Sequence, residues 1–288
     1  MNNNIVPIFA GGGTRLPAHL GVMKALEELA IPFDNLVGVS GGSIVASFHA
    51  AGLSLEESKS IAFDTDYNQF REFSLLKLIR HGGLSSGDIF EKWVDRQLEG
   101  KTFSDLNKNL HIVATDVTNG KPVIFNKEKT PNMKVSKAVR FSMSIPLVFS
   151  FKTFGKHIMV DGSILSEDAL HRDWDNQGTP IICFRLRSEN EYDEIKTSGL
   201  FPIFNYINLL IRAFMTTISR EYINENFWHN TIVINTGESS GVDFKMSESQ
   251  KNALFDIGYQ TALEIIPIKT KTASIKEPLF KAKENMAN

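Results

Sequence analysis

The sequence predicts an α/β fold, and three observations carry that prediction. Short β-branched apolar runs alternate with amphipathic stretches along the chain. The first of them are arranged as strand, glycine loop, helix and strand. No internal repeat and no evident linker divides the 288 residues, so a single domain over 1–288 is the economical reading. With 42% hydrophobic and 22% charged residues the composition is that of an ordinary globular protein. Near balance between 31 basic and 33 acidic residues leaves no global field for gripping nucleic acid, so any membrane contact has to be local.

Ile5–Phe9 reads as a strand, Gly11–Gly13 as a loop, and Pro17 as a first-turn residue of a helix carrying Leu20, Met23, Leu26 and Leu29. Leu36–Val39 is a second buried strand, Ser40–Gly42 a tight turn, and Ser43–Ala51 a helix. This βαβ unit puts loops at the strand ends, where open α/β sheets hold their sites. Ser54 and Glu57 form a capping box, and Ile89, Phe90, Trp93, Val94 and Leu98 make the apolar stripe of a further helix. His111–Asp116 and Lys121–Asn126 are strands joined through Asn119-Gly120, a hairpin signal. Lys134–Ser142 follows as a helix, then His157–Val160, Pro180–Leu186 and Thr231–Asn235 as strands. Ser247 and Gln250 cap a last helix bearing Leu254, Ile257, Ala262 and Ile265. The single Cys183 cannot form an internal disulfide or a Cys-rich zinc site and is expected as a small buried hydrophobe. Met1–Asn4 lacks the basic and apolar regions of a signal peptide, and Thr197–Ile211 is too short and too broken to span a bilayer. A cytoplasmic location is the resulting expectation.

The nucleophile-elbow pattern G-x-S-x-G occurs three times, at Gly38–Gly42, Gly83–Gly87 and Gly237–Gly241, so the pattern alone decides little. The chemistry needs a buried strand before the serine and a helix start after it, and only Ser40 has both. Ser85 follows the polar Arg80-His81-Gly82 and reads as a loop entering the helix at Asp88. Ser239 is followed by Val242-Asp243-Phe244, which does not look like a helix start. Gly11, Gly12 and Gly13 end the neighbouring strand, where backbone N–H groups can converge on a developing oxyanion, with Arg15 close by. A dinucleotide loop would need glycine at position 16, which is Leu16, and no phosphate loop of the G-x-x-x-x-G-K-[ST] type is present.

A serine hydroxyl needs a base. His111 and Asp116 have H-x-x-x-x-D spacing, but five residues apart on one strand puts them on opposite faces. His19 and His49 fall in amphipathic helices, as partly buried or surface residues. Asp161 ends a strand and precedes Gly162, so a carboxylate stands at a strand terminus with little bulk behind it. To act as a base it would have to be raised by burial or aligned by a short hydrogen bond.

Gly11-Gly12-Gly13-Thr14-Arg15, Gly38-Val39-Ser40-Gly41-Gly42 and Asp161-Gly162, in this order, resemble the patatin-like phospholipase family. The likeness extends to Ala10–Glu28, Gly83–Phe90, Ile112–Phe125 and Arg140–Pro146, and covers roughly Ile5 to Asp168. It implies a three-layer α/β/α sandwich around a central, mostly parallel sheet, and phospholipase A-type hydrolysis of fatty-acyl esters through an acyl-enzyme. Ser40 would be the nucleophile and Asp161 its sole base, in a dyad without histidine. Gly11, Gly12 and Gly13 with Arg15 would form the oxyanion hole, Gly38 and Gly42 would shape the elbow, and no metal or organic cofactor would be needed. Leu16, Ser163 and Glu167-Asp168-Ala169 depart from the family pattern. They keep open a non-catalytic lipid-binding or regulatory module. A histidine-containing esterase using His171 or His229 is the other alternative, and an activating ligand or protein would have no residue here to identify it.

An acyl substrate needs apolar surface. Phe141, Phe149, Phe151 and Phe154 lie near the proposed site, Leu200–Ile207 is expected as a lid, an interfacial patch or a buried helix entrance, and Phe70–Arg80 as an interfacial or partly buried helix. Peripheral contact with membranes follows from that expectation.

Overall fold

Residues Val6–Ala10 (β1) and Asn35–Val39 (β2) run parallel, with Ile8 opposite Val37 and Ala10 opposite Val39, and the helix Leu16–Glu28 (α1) crosses between them. In this computed structural model residues 4–72, 74–165, 172–188, 206 and 228–273 are described. From β2 the chain passes through α2 (Gly42–Ala50), α3 (Leu55–Asp64), α4 (Leu75–His81), β3 (Gly83–Ser85) and α5 (Asp88–Gln97). It continues through β4 (Asn109–Asp116), β5 (Lys121–Phe125), α6 (Val135–Ser142), β6 (Leu147–Phe149), β7 (Lys152–Phe154) and β8 (His157–Val160). Beyond them lie β9 (Ile181–Arg187), β10 (Thr231–Asn235) and α7 (Glu248–Ala273).

Strands β10, β9, β1, β2 and β4 lie side by side and parallel; β8, β7 and β5 complete the sheet in antiparallel pairings. The result is a central, mostly parallel sheet flanked by helices. One arrangement at its centre decides the geometry of the site. Strand β2 pairs with Asn109–Val113 of β4, while β5 pairs with Ile112–Asp116 and so takes the other edge of β4. Strand β8 pairs with Thr115 and Asp116, and must therefore lie on the same edge as β2, running towards it head-on. The residues just beyond the two strand ends, Ser40 and Asp161, are forced together.

Apolar side chains of α1, α2, α5, α6 and α7 form one continuous core with Phe9, Leu36, Ile112 and Phe184 of the sheet. On the opposite sheet face Val6, Ile8, Val37, Val39, Val113 and Cys183 gather with Trp174. Cys183 is buried, and burial pushes its thiol up to about 12, so it is the inert apolar residue expected.

The capping boxes at Ser54–Glu57 and Ser247–Gln250 are both made. Lys251 then ties α7 to the end of α3: its Nζ donates to the carbonyls of Ala62, Phe63 and Thr65 at 3.2, 2.9 and 2.8 Å and lies 4.3 Å from the Tyr67 ring centroid. A cation at a helix C-terminus satisfies carbonyls that the helix leaves orphaned.

Two local expectations need adjustment. Ser85 lies not in a loop but in β3, which pairs in parallel with β6 as a separate two-stranded sheet, Gly83 opposite Leu147 and Ser85 opposite Phe149. The hairpin read at Asn119-Gly120 is present, with Val117–Gly120 joining β4 to β5 and Gly120 left-handed at φ +62°. His19 has no exposed surface, because α1 is buried over nearly all its circumference, not on one stripe. Of the apolar residues on the last helix, Ile257 is partly exposed on α7, whereas Leu254 and Ala262 are buried. Leu200–Ile207 and His171 fall outside the described residues, except Tyr206, which is exposed.

Candidate active site

The turn after β2 is a strained elbow. Ser40 adopts φ +52°, a left-handed conformation that an L-residue with a side chain occupies only when its surroundings enforce it. Those surroundings need glycine on both sides. A Cβ on Gly38 would come within 2.5 Å of Ser43 Cα, and one on Gly42 would overlap the Phe9 carbonyl. The strand can thus turn directly into α2 with the Ser40 hydroxyl at its tip.

Ser40 Oγ donates to Asp161 Oδ2 at 2.7 Å, and both residues are fully buried (0% exposed). The partners of Asp161 hold it from three sides. Its amide donates to the Ser144 carbonyl at 3.0 Å, its Oδ1 accepts from the Ser163 amide at 2.8 Å, and Gly162 packs on Val113 and Val39. Burial pushes the Asp161 carboxyl up to about 6, against the opposing pull of the Ser40 and Ser163 hydrogen bonds. Ser142 joins the two halves: its Oγ accepts from the Ser40 amide at 2.8 Å and donates to the Val113 carbonyl at 2.6 Å.

The glycine loop lies beside this pair, and its peptide planes are oriented one by one. In a trans peptide the carbonyl and the following N–H point in opposite directions, so fixing one aims the other. The Gly11 carbonyl accepts from the Gly42 amide at 3.0 Å and lies 3.1 Å from His19 Nε2, which turns the Gly12 N–H the other way. The Gly12 carbonyl accepts from the Arg15 amide at 2.9 Å and from Arg15 Nε at 3.2 Å, which turns the Gly13 N–H. The Ser40 carbonyl accepts from Ser43 N at 2.9 Å and Ser43 Oγ at 2.6 Å, which turns the Gly41 N–H. None of these three amides meets an acceptor among the described residues. Gly41 and Gly13 are in backbone contact: a Cβ on Gly41 would lie 2.5 Å from Gly13 N. Gly11 itself spends its N–H on the Val39 carbonyl at 3.1 Å and is a hinge of the loop, not a free donor.

Two of the loop's supports are absent from the reading of the motifs. His19 is held neutral, its pKa lowered to about 4, chiefly by burial. Its Nδ1 meets no partner among the described residues, so the tautomer protonated on Nε2 satisfies the Gly11 carbonyl. The third G-x-S-x-G copy supplies the other support. The Gly241 carbonyl accepts from the Thr14 amide at 2.9 Å, and Thr236 Oγ1 accepts from Arg15 Nη1 at 2.7 Å. Arg15 is buried, and burial together with neighbouring Arg185 lowers its pKa to about 10, which leaves it charged at neutral pH. Arg140 supports the Asp161 side. Fully buried, it donates from Nη1 to Ser144 Oγ at 2.6 Å and from Nη2 to the carbonyls of Ser86 and Ser150 at 2.7 Å each.

The remaining candidates lie elsewhere. His111 sits among Asn35, Asn126 and Trp174, whereas Asp116 bonds Thr118 and Asn119 and pairs with His157. His229 precedes β10, so it stands at the end of the parallel strands opposite Ser40, with β9 and β1 between. Ser85 Oγ donates to the Phe70 carbonyl, and His49 packs on Phe33.

A small apolar cavity, open to solvent, adjoins the pair; its walls include Gly13, Leu16, Tyr67, Phe90, Trp93 and Phe149. Met143 lines it too, with its Sδ 3.7 Å from Ser40 Oγ.

Residues 8–172, more than half of the chain, match the family described as Patatin-like phospholipase. The chain is a member of that family. An uncharacterised protein of Acanthamoeba polyphaga mimivirus is 30% identical over 89% of this chain and 92% of its own length. The uncharacterised protein YqhO of Bacillus subtilis (strain 168) is 29% identical over 87% and 94%. A probable lipid hydrolase of Invertebrate iridescent virus 6 is 22% identical over 88% and 86%. VipD from Legionella pneumophila shares the fold with a TM-score of 0.58 at 15% identity, over 92% of this chain and 67% of that one. ExoU of Pseudomonas aeruginosa, solved with SpcU, does so at 0.58 and 16%, over 93% and 53%. Within this member of the family, the departure at Leu16 has a simple local account: its φ of −52° needs no glycine, and its side chain becomes cavity wall. Ser163 still supplies its amide to Asp161, and Glu167–Ala169 lie outside the described residues.

Proposed function

We propose that this protein is a serine acyl hydrolase that cleaves fatty-acyl esters of phospholipids or related lipids. The 2.7 Å hydrogen bond between the buried Ser40 hydroxyl and Asp161 carries the reading, because it pairs a strained nucleophile with a fully buried carboxyl raised to about 6. Asp161, ionised above pH 6, takes the Ser40 proton as Oγ adds to the ester carbonyl carbon. The amides of Gly12, Gly13 and Gly41 receive the carbonyl oxygen as it becomes negative. Collapse expels the alcohol, which takes the proton from Asp161 and leaves the acyl group on Oγ. Water, deprotonated by Asp161, then releases the fatty acid and returns the proton to Ser40.

The cavity beside Gly13 accommodates the acyl chain, its walls matching the apolar character of that chain. Met143 stands between this cavity and Ser40 Oγ, and its unbranched side chain swings aside to admit the ester. The test is fatty-acid release from phospholipid vesicles. Ser40→Ala and Asp161→Asn are each expected to lower it at least about a thousandfold with the fold intact; a folded Ser40→Ala protein with wild-type turnover would refute the assignment.

A further inference from the structure

We propose that the corner made by α4, β3 and β6 is the face by which this protein docks on an anionic lipid surface, presenting its cavity to the lipid. The idea rests on the acyl-hydrolase reading for its purpose, though not for its test. Eight large apolar side chains are exposed among the described residues, and four of them, Leu76, Ile79, Ile89 and Phe151, belong to this corner. Leu76 and Ile79, 58% and 81% exposed, are three residues apart on α4 and therefore share a face. Phe151 is drawn beside the end of that helix: its amide donates to the His81 carbonyl at 3.3 Å, and its ring lies against Gly82. Ile89 follows Asp88 at the start of α5, and the Lys152–Asp88 ion pair at 2.5 Å ties that helix start to the residue after Phe151.

Charge completes the match. Residues 71–81 carry Arg71, Lys77 and Arg80 against one acid, Glu72. Glu72 accepts from the Ser86 amide and hydroxyl at 3.0 and 2.8 Å, and Asp88 is neutralised by Lys152. Arg71, Arg80 and His81 are exposed, and no ion pair engages Arg71 or Arg80 among the described residues. A basic segment displaying aliphatic side chains suits an anionic headgroup layer with acyl chains beneath it. The inner side of the same corner is cavity wall. Phe149 of β6, Tyr67 and Phe70 just before α4, and Phe90 of α5 all line the space that leads to Met143 and Ser40. Docking through the outer side would bring the cavity mouth to the lipid.

Binding is measured with the full chain carrying Ser40→Ala, so that vesicles survive, by cosedimentation with phosphatidylcholine vesicles with and without phosphatidylserine. Binding to the phosphatidylserine vesicles is expected, weakening as salt rises. Leu76→Ser with Ile79→Ser should lower affinity roughly tenfold or more. Arg71→Glu with Arg80→Glu should erase the preference for phosphatidylserine. On a Ser40 background the Leu76/Ile79 pair should hydrolyse a soluble short-chain ester like wild type and melt at the same temperature. Unchanged binding in both paired variants overturns the proposal, as does failure of the Ser40→Ala protein to bind any vesicle. Self-association in sizing chromatography that the Leu76/Ile79 pair abolishes, without vesicle binding, assigns the face to a second copy of the chain instead. A wild type that binds vesicles yet turns over no ester leaves the surface standing and removes the hydrolase; soluble-ester turnover without vesicle binding does the reverse.

Discussion

At the scale of single residues, two buried titratable groups are tuned in opposite senses. Asp161 rises from 3.8 to about 6, so between those values the folded chain holds a proton that the unfolded chain has lost. The penalty is absent below pH 3.8, grows through this window and is complete above pH 6, on the order of 3 kcal/mol. Asp161→Asn is therefore expected to raise the denaturation midpoint at pH 7 to 8 while turnover falls; a lowered midpoint would show that the carboxylate is a net structural asset. His19 falls from 6.5 to about 4, so its contribution is fully present above pH 6.5 and is lost as pH drops through 4. Because it orients the Gly12 amide through the Gly11 carbonyl, His19→Leu should reduce kcat about ten- to a hundredfold with little change in KM. His19→Gln, which keeps a donor, should recover part of that loss. Equal losses in both variants would reduce His19 to packing.

At the scale of elements, the site is a meeting of strand ends. Gly11–Gly13, Gly38–Gly42 and Asp161-Gly162 are legible in the sequence because each is a local backbone requirement with its own residue signature. Their convergence is not, since it depends on β5 occupying one edge of β4 and leaving the other to β2 and β8. Nothing in the alternation of Ile158, Met159 and Val160 states which strand edge they will find. His19 and Gly241 escape for a related reason: a helix histidine and a turn glycine acquire their meaning only from a carbonyl and an amide brought from elsewhere in the chain. The brace also makes a prediction. A Cβ on Gly13 would overlap the Gly241 carbonyl, and its φ of +55° disfavours any other residue. Gly13→Ala should lower activity at least about a hundredfold and the melting temperature by several degrees. Wild-type ester turnover in this variant would show that the loop is not the oxyanion site.

At the scale of the whole molecule, a mostly parallel sheet carries the proposed reacting groups at its centre, and a smaller corner of α4, β3 and β6 walls the cavity proposed for the acyl chain. The division explains why composition is uninformative about lipid: the apolar surface an acyl chain needs is inside, among Tyr67, Phe90, Trp93 and Phe149. Among the described residues no helix is long and apolar enough to cross a membrane. The lining of the cavity predicts a shift in chain-length preference. In a series of soluble esters Trp93→Ala should move the optimum of kcat/KM to longer chains; an unmoved optimum would place the acyl group elsewhere.

The most direct test of the Ser40–Asp161 pair is the rate at which a fluorophosphonate probe labels the intact protein as pH is varied, with the modified residue located by mass spectrometry. Labelling is expected at Ser40 alone, with a rate that falls about tenfold per unit below an apparent pKa near 6 and drops at least about a hundredfold in Asp161→Asn at every pH. Labelling at another serine, or a rate unchanged in folded Asp161→Asn, would contradict it.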